Sequence, residues 1–454
     1  MTAVTRPPFS AAPFVARRAR LAEALRARGG GVALLATAPE QMRNRDVDHP
    51  YRHDSHFYYL TGFTEPEALA ALQVRRDGRT RSVLFCRPKD ETREIWDGYR
   101  HGPEAAQALF AFDAAHPLEA IDSVLPDLLA DQPALFVPLS QPTPADAPLA
   151  RAMTALAARA RSGVRAPASR HDVLPIVDEM RLLKDTHEAA LMRAAGRIGA
   201  AAHVRAMRAC RPGLREHQLE AELLHAFRWH GAQGPAYNAI VAAGPNACVL
   251  HYRAGDAELR DGALCLIDAG CEFDSYASDI TRTFPVNGRF SGPQRAVYDI
   301  VLAAQQAAIA ASRPGLPFDA PHEAAVRVLA QGLLDLKLLD GSLDGALEAR
   351  SYRQFYMHRT GHWLGLDVHD VGDYLDPAAA PADDGTRPAR LLQPGMAVTV
   401  EPGLYLRPAP NVPAAFEHIG IRIEDDVLID STGCEVLSAD APKAADEIEA
   451  LMRG

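Results

Sequence analysis

The sequence predicts two domains, an α/β domain followed by a larger α+β domain built from a repeated unit. Three observations lead there. Helical and strand patterns alternate up to about residue 145, as in helices laid on a sheet. Further on, two helix pairs about a hundred residues apart share a plan, the first helix of each ending in Arg-Pro-Gly, at 211–213 and 313–315. After each pair comes a strand-rich segment carrying acids and histidines, which places a site between two duplicated halves. Pro-Gly ends many helices, so the echo taken alone is equally compatible with coincidence. The domain boundary is expected near residue 175, giving domains 1–175 and 176–454.

Composition narrows the class. A chain of 454 residues can bury two sizeable cores. A formal charge of -10 argues against a broad nucleic-acid footprint, which requires a basic face. Six cysteines without a C-x-x-C pair read as buried free thiols in a reducing compartment. The first twenty residues place arginines after their apolar residues and contain no uninterrupted apolar run, so no secretory signal is expected. No stretch approaches a membrane span in length. A soluble, cytoplasmic protein is the expectation.

Taken in order, residues 11–28 form an amphipathic helix closed by Gly29-Gly30-Gly31. Val32–Ala36, Phe57–Leu60, Ala68–Val74 and Ser82–Cys86 read as strands between Gly, Pro and Asp turns. A helix is predicted over Ala145–Arg161. Another spans Thr186–Cys210, with Asp185 as N-cap and Glu188 completing a capping box. Helices over Leu214–His230, Gln294–Ser312 and onward through Leu338 complete the repeated pairs. Ala378–Arg390, rich in Ala, Pro and Asp, is expected to be a mobile surface loop.

Chemistry concentrates in the second domain. Leu264–Gly270 reads as a buried strand ending in Asp268, and Asp279–Phe284 as its returning partner, a hairpin that brings Asp268 and Asp279 together. Ala397–Gly403 is an apolar strand ending in Glu401. Gly420–Asp425 is another, with Arg422 and Glu424 on one face. Between these strands lies the segment 356–370, with His358, His362 and His369. Its spacing admits a helix, but Gly361 and Gly365 weaken one, and an irregular strand is preferred. Arg359 follows His358, so the H-E-x-x-H zinc motif fails. Singly, each acid is as readily a turn cap, Arg422 could neutralise Glu424, and the histidines could be buried and bonded to backbone.

Together, four acids at buried strands and one histidine exceed what a single arginine can balance, and two divalent cations would. Oxygen donors with one imidazole suit Mn2+, Co2+, Fe2+ or Zn2+. A pair of such ions ~3.5–4 Å apart makes water a nucleophile near neutrality and polarises a carbonyl. The expected reaction class is therefore metal-assisted hydrolysis, of an amide bond. Glu401 is the candidate proton carrier to the leaving amine. His251, His358 and His369 are candidate donors to the tetrahedral intermediate.

Five segments resemble the pita-bread metallopeptidase family that includes methionine aminopeptidase, prolidase and aminopeptidase P. They are Ile267–Gly270, Ser278–Thr283, Gly361–Gly365, Glu401–Gly403 and Arg422–Asp425. The resemblance implies metal ligands Asp268, Asp279, His362, Glu401 and Glu424, and two divalent ions, Mn2+ first, with Co2+ or Zn2+ as alternatives. Leu250–Tyr252, Met357-His358 and Leu366–Gly372 resemble the histidine segments of bacterial aminopeptidase P in particular. For that group the resemblance implies substrate contacts from His251 and His369, and His358 near the proline side. Tyr405 and Arg422 match supporting positions, Arg422 holding the acidic ligands. Pro50–Arg52 and Phe57–Ala68 resemble its N-terminal domain, which implies a homo-oligomer, dimer or tetramer, with Asp46 and Trp96 reaching a neighbouring active site. The expected substrates are peptides with a penultimate proline. The alternatives are a prolidase acting on Xaa-Pro dipeptides and a metal-free pita-bread binding module. Two features depart from the family pattern. Arg359-Thr360-Gly361 replaces small or apolar residues and would add charge beside His358, and the 378–390 loop looks longer than usual.

Overall fold

The computed structural model describes residues 8–453. Two compact units divide between Arg181 and Leu182. The helix Leu174–Leu182, placed by sequence beyond the boundary, lies almost wholly in the first unit. It is tied there by His56 Nε2 to Asp178 at 2.7 Å and by the Tyr59 hydroxyl donating to the Met180 carbonyl at 2.8 Å.

The N-terminal unit is a six-stranded mixed sheet with helices. Its strands run in the order Ala114–Pro117, Thr80–Cys86, Leu69–Val74, Gly31–Ala36, Ala134–Val137 and Ser169–Asp172. Gly31–Ala36 pairs antiparallel with Leu69–Val74 and parallel with Ala134–Val137. Val32, Leu34, Leu69, Phe85, Leu125 and Leu135 meet in its core. Phe57–Leu60 is not a strand. Ser55–Thr61 is a helix, capped by Asp54, which accepts from the Phe57 N–H at 2.8 Å, and stopped by Gly62 at φ 69°. All four of those apolar residues are buried, so the helix shows no polar face and no helical period in sequence, and the caps alone carried the signal.

The C-terminal unit contains the repeated plan. Helices Thr186–Ala209 and Glu216–Trp229 precede a sheet of Ile240–Ala243, Leu264–Asp268 and Thr281–Pro285. Helices Gly292–Ala311 and Ala320–Asp335 precede the strands Ala397–Val400, Gly403–Leu406, Ile419–Arg422 and Asp425–Ile429. The capping box at Asp185 and Glu188 is formed in both directions, at 2.9 and 3.0 Å. All six cysteines are free, five of them buried. Among the described residues, no helix is long and apolar enough to cross a membrane.

Segment 356–370 forms an irregular loop rather than a strand, joined to the sheet by a single bridge, Trp363 to Val398. The expected alternation fails because the chain folds back on itself. The buried pair of Lys184 Nζ and Asp370 Oδ2, 2.9 Å apart, holds its far end, and the Asp370 N–H donates to the Trp363 carbonyl at 2.9 Å. A Cβ at Gly365 would sit 2.1 Å from Asp370 Oδ2, and one at Gly361 2.0 Å from the Thr399 carbonyl oxygen. Both positions therefore require glycine. The 378–390 loop is exposed over most of its length and is closed at its base by a Leu375–Ala389 bridge.

Candidate active site

The site is assembled where the two repeated halves meet. Strand Leu264–Asp268 pairs antiparallel with Thr281–Pro285, setting Asp268 opposite Thr281, and Asp279 enters two residues earlier. The Tyr237 hydroxyl hydrogen-bonds to both Asp268 and Asp279. From the second half, Glu424 reaches across: its N–H donates to the Thr281 carbonyl at 3.0 Å, and the Thr281 hydroxyl donates to Glu424 Oε2 at 2.6 Å. Thr281 thus joins the halves by backbone and side chain together.

Asp279, His362 and Glu424 form a cluster whose candidate ligand atoms lie within 4.8 Å of one another. Asp268 and Glu401 line the same cavity, of about 760 Å³, with His251, His358, His369, Tyr237, Arg253, Arg359 and Arg422. The donor set fits a divalent metal centre. His362 donates its Nδ1–H to the Trp363 carbonyl at 2.9 Å, which leaves Nε2 facing Asp279 Oδ2 at 3.5 Å, the orientation of a ligating imidazole. Three of the four carboxyls behave as an under-neutralised set, whereas at Asp279 burial is outweighed by His362, Tyr237 and Arg422, which hold it below the carboxylate range. Burial lifts Asp268 above the carboxylate range against the opposing charge of Arg422. Burial and then Asp279, Glu401 and Asp268 lift Glu424 well above it. Burial pushes Glu401 up to about 7, although His362 and Arg422 oppose. At His362 burial would lower the pKa, but hydrogen bonding to Asp279 and the charges of Asp279 and Glu401 raise it to about 9. Without cations the pocket stays tolerable only by holding protons, and cations would replace them.

Arg422 organises the remainder. Its Nη2 donates to Asp268 Oδ2 at 2.6 Å, its Nη1 to the Tyr405 hydroxyl at 2.9 Å and its Nε to the Thr281 hydroxyl at 3.2 Å. The ion pair considered between Arg422 and Glu424 is not the one formed. The neighbouring hairpin offers Asp268 instead, and Thr281 takes Glu424. Tyr405, with its own proton, donates to His358 Nε2 at 2.8 Å, while His358 Nδ1–H donates to the Arg359 carbonyl at 2.7 Å. One tautomer is thereby fixed. Burial, with Arg422 nearby, pushes His358 down to about 3, so its imidazole is neutral. The side chain of Arg359 pairs with Asp319 and its charge lowers His322, while toward His358 Arg359 presents its carbonyl, which accepts from Nδ1–H and acts against burial. His369 stacks on His362, ring centroids 3.7 Å apart, and His251 lies exposed at the cavity wall.

Asp46 and Trp96 lie in the N-terminal unit. Asp46 occupies an exposed turn at φ 67°, and Trp96 is 82 % exposed on the helix Glu91–Asp97, next to exposed Ile95 and Tyr99. Sequence reasoning missed Tyr237 and the role of Thr281, neither of which has a metal-ligand side chain to mark it. It also missed the network behind Glu424, for which the acid triplet Glu424-Asp425-Asp426 inside an apolar run was the available signal.

Residues 190–431 match metallopeptidase family M24, and residues 14–136 match the aminopeptidase P N-terminal domain. The chain is 45 % identical over 439 residues to Xaa-Pro aminopeptidase of Escherichia coli K12, covering 97 % of each protein. It is 43 % identical to Xaa-Pro aminopeptidase of Haemophilus influenzae over 92 % of each, and 32 % identical to human Xaa-Pro dipeptidase over 97 % and 93 %. The solved Pseudomonas aeruginosa aminopeptidase PepP matches at a TM-score of 0.93 with 46 % identity, covering 98 % of both chains. A substrate complex of an Escherichia coli aminopeptidase P variant matches at 0.93 with 44 % identity, covering 98 % and 99 %. With an N-terminal aminopeptidase P domain joined to a pita-bread catalytic domain, this chain belongs to metallopeptidase family M24.

Proposed function

We propose that this enzyme removes the first residue from peptides whose second residue is proline. The observation that carries the reading is the acid-and-imidazole cluster of Asp268, Asp279, His362, Glu401 and Glu424, set in a cavity large enough for a peptide end. It is supported by near full-length similarity to two bacterial Xaa-Pro aminopeptidases. Those five residues would hold two divalent ions, Mn2+ by preference, which when bound supply an ionised water at working pH and polarise the scissile carbonyl. The chain's own side chains do the rest. Arg422 opposes the effect of burial on Asp268 and aims its carboxyl while steering Tyr405. The Tyr405 hydroxyl, buried behind the cavity and donating to Nε2, fixes the tautomer and orientation of the neutral His358 at the cavity wall, near the leaving proline. Glu401, with Oε2 3.7 Å from His358 Nδ1, carries a proton toward the leaving proline nitrogen. His251 and His369 border the peptide. Asp46 and Trp96, presented on the N-terminal unit, serve a neighbouring subunit's site in a homo-oligomer, Trp96 by stacking on the proline ring. The protein is cytoplasmic.

The deciding experiment offers Mn2+-loaded enzyme an Xaa-Pro-Yaa tripeptide and an Xaa-Pro dipeptide side by side, with products identified by mass spectrometry. Release of the first residue from the tripeptide is expected, with little dipeptide turnover. Preference for the dipeptide would make the enzyme a prolidase, and cleavage of neither with Mn2+, Co2+ or Zn2+ would leave a binding module. His251→Ala should retain both metals and lose about 100-fold in turnover. Unchanged turnover would remove His251 from the site.

A further inference from the structure

Three arginines line the catalytic cavity, and they differ in what they already hold. Arg422 is committed to Asp268 and Tyr405, and Arg359 to Asp319. Arg253 is exposed and has no hydrogen-bond or ion-pair partner among the described residues. It follows His251 by two residues, so one short segment presents both to the cavity. The acids lining that cavity are Asp268, Asp279, Glu401 and Glu424, all assigned to the metal centre. The cavity wall thus carries one cation that no described residue pairs with.

A peptide running through the cavity has a cationic amino end, which a guanidinium repels. A carboxylate on the first residue's side chain would lie beside that amine and be offset by it. The portion beyond the scissile bond carries its anions away from the amine, so it is the portion that an exposed guanidinium complements. We propose that Arg253 recognises a carboxylate on the leaving portion of the substrate, either the terminal carboxylate of a short peptide or an acidic side chain after the proline. This makes Arg253 a specificity residue favouring short or acidic peptides, and it rests on the Xaa-Pro reading above.

The test compares wild type, Arg253→Ala, Arg253→Lys and Arg359→Ala, all loaded with Mn2+, on three peptides: Ala-Pro-Gly as free acid, Ala-Pro-Gly amide and Ala-Pro-Asp amide. Wild type is expected to prefer the carboxylate-bearing peptides. In Arg253→Ala the preference in kcat/KM should fall about fivefold, through KM, with Lys restoring most of it. Added salt should narrow the wild-type preference, because the charge is exposed. A preference for the free acid over its amide identifies the terminal carboxylate, and a preference for the Asp amide over the Gly amide identifies the side chain. A ratio unchanged in Arg253→Ala, an equal loss on all three peptides, or a loss confined to Arg359→Ala overturns the proposal while leaving the Xaa-Pro reading intact. Wild-type cleavage of none of the three overturns both.

Discussion

Glu424 and Asp425 are adjacent, fully enclosed carboxyls with opposite electrostatic fates. Burial alone would lift both above the carboxylate range. At Asp425 the charges of Arg282 and Lys443, with the Ser438 hydroxyl, outweigh burial and hold the group below that range. Arg282 Nη2 donates at 2.7 Å, Lys443 Nζ at 2.6 Å and Gln305 Nε2 at 2.7 Å. At Glu424 burial is reinforced by three other acids and opposed by Arg422. Successive strand residues point to opposite faces, so one carboxyl enters the cavity and its neighbour enters the packing behind it. Arg282 connects the two sides, since its Nη1 donates to the Glu424 carbonyl at 2.6 Å. In this pair the acid satisfied by cations packs behind the site, and the under-neutralised one lines the cavity.

Three experiments bear on that contrast. Removing an acid from the cavity side should have the largest effect. Asp279→Ala is expected to lose at least one metal by elemental analysis, and about 1000-fold or more in kcat/KM; two metals retained would remove Asp279 from the ligand set. Next comes a paired comparison by denaturant unfolding without metal. Asp425→Ala should lose about 3–5 kcal/mol, because Arg282 and Lys443 are left without their shared carboxylate. Glu424→Gln should lose little or gain, because a neutral amide needs neither a proton nor a cation to be tolerated among the other acids. Equal losses in both variants would erase the distinction.

The smallest effect is in pH. In the metal-free protein the folded-state pKa of Glu401 is raised to about 7 and that of His362 to about 9. For each, the folded state holds its proton at pH values where the unfolded chain has released it. Their stabilisation is therefore present at low pH and is lost as pH rises through the folded value. His358, His322 and His203, all pushed down by burial, act in the opposite sense, but only below their unfolded value of about 6.5. Between about pH 6.5 and 9 the Tm of metal-free protein should fall, and Mn2+ should flatten or reverse the slope, since its ligands must be deprotonated. A flat metal-free profile would show that the acid wall is neutralised by the chain itself.

Much of the site could be read from the chain because its residues announce themselves locally. A carboxylate inside an apolar strand is costly enough that Asp268, Glu401 and Glu424 stand out without any tertiary knowledge. The capping box at Asp185 and Glu188 is equally local, requiring only four consecutive positions. Phe57–Leu60 was misread for the complementary reason: a helix buried on all sides has no period to detect. The irregular path of residues 356–370 depends on Lys184 and on the glycine contacts with Thr399 and Asp370, partners remote in sequence.

The sequence by itself determined the acids and histidines of the centre, the repeated helix–helix–strand plan and the helix caps, because each is expressed in residue type and short spacing. Tertiary structure decided which partner each charge received. Arg422 chose Asp268 over Glu424, Arg359 was taken by Asp319, Tyr237 bridged two aspartates, and Arg253 was left without a partner among the described residues. Charge pairing acts over a few ångströms of space, and which strands and loops come that close is set by how the sheets pack, which residue spacing along the chain does not encode.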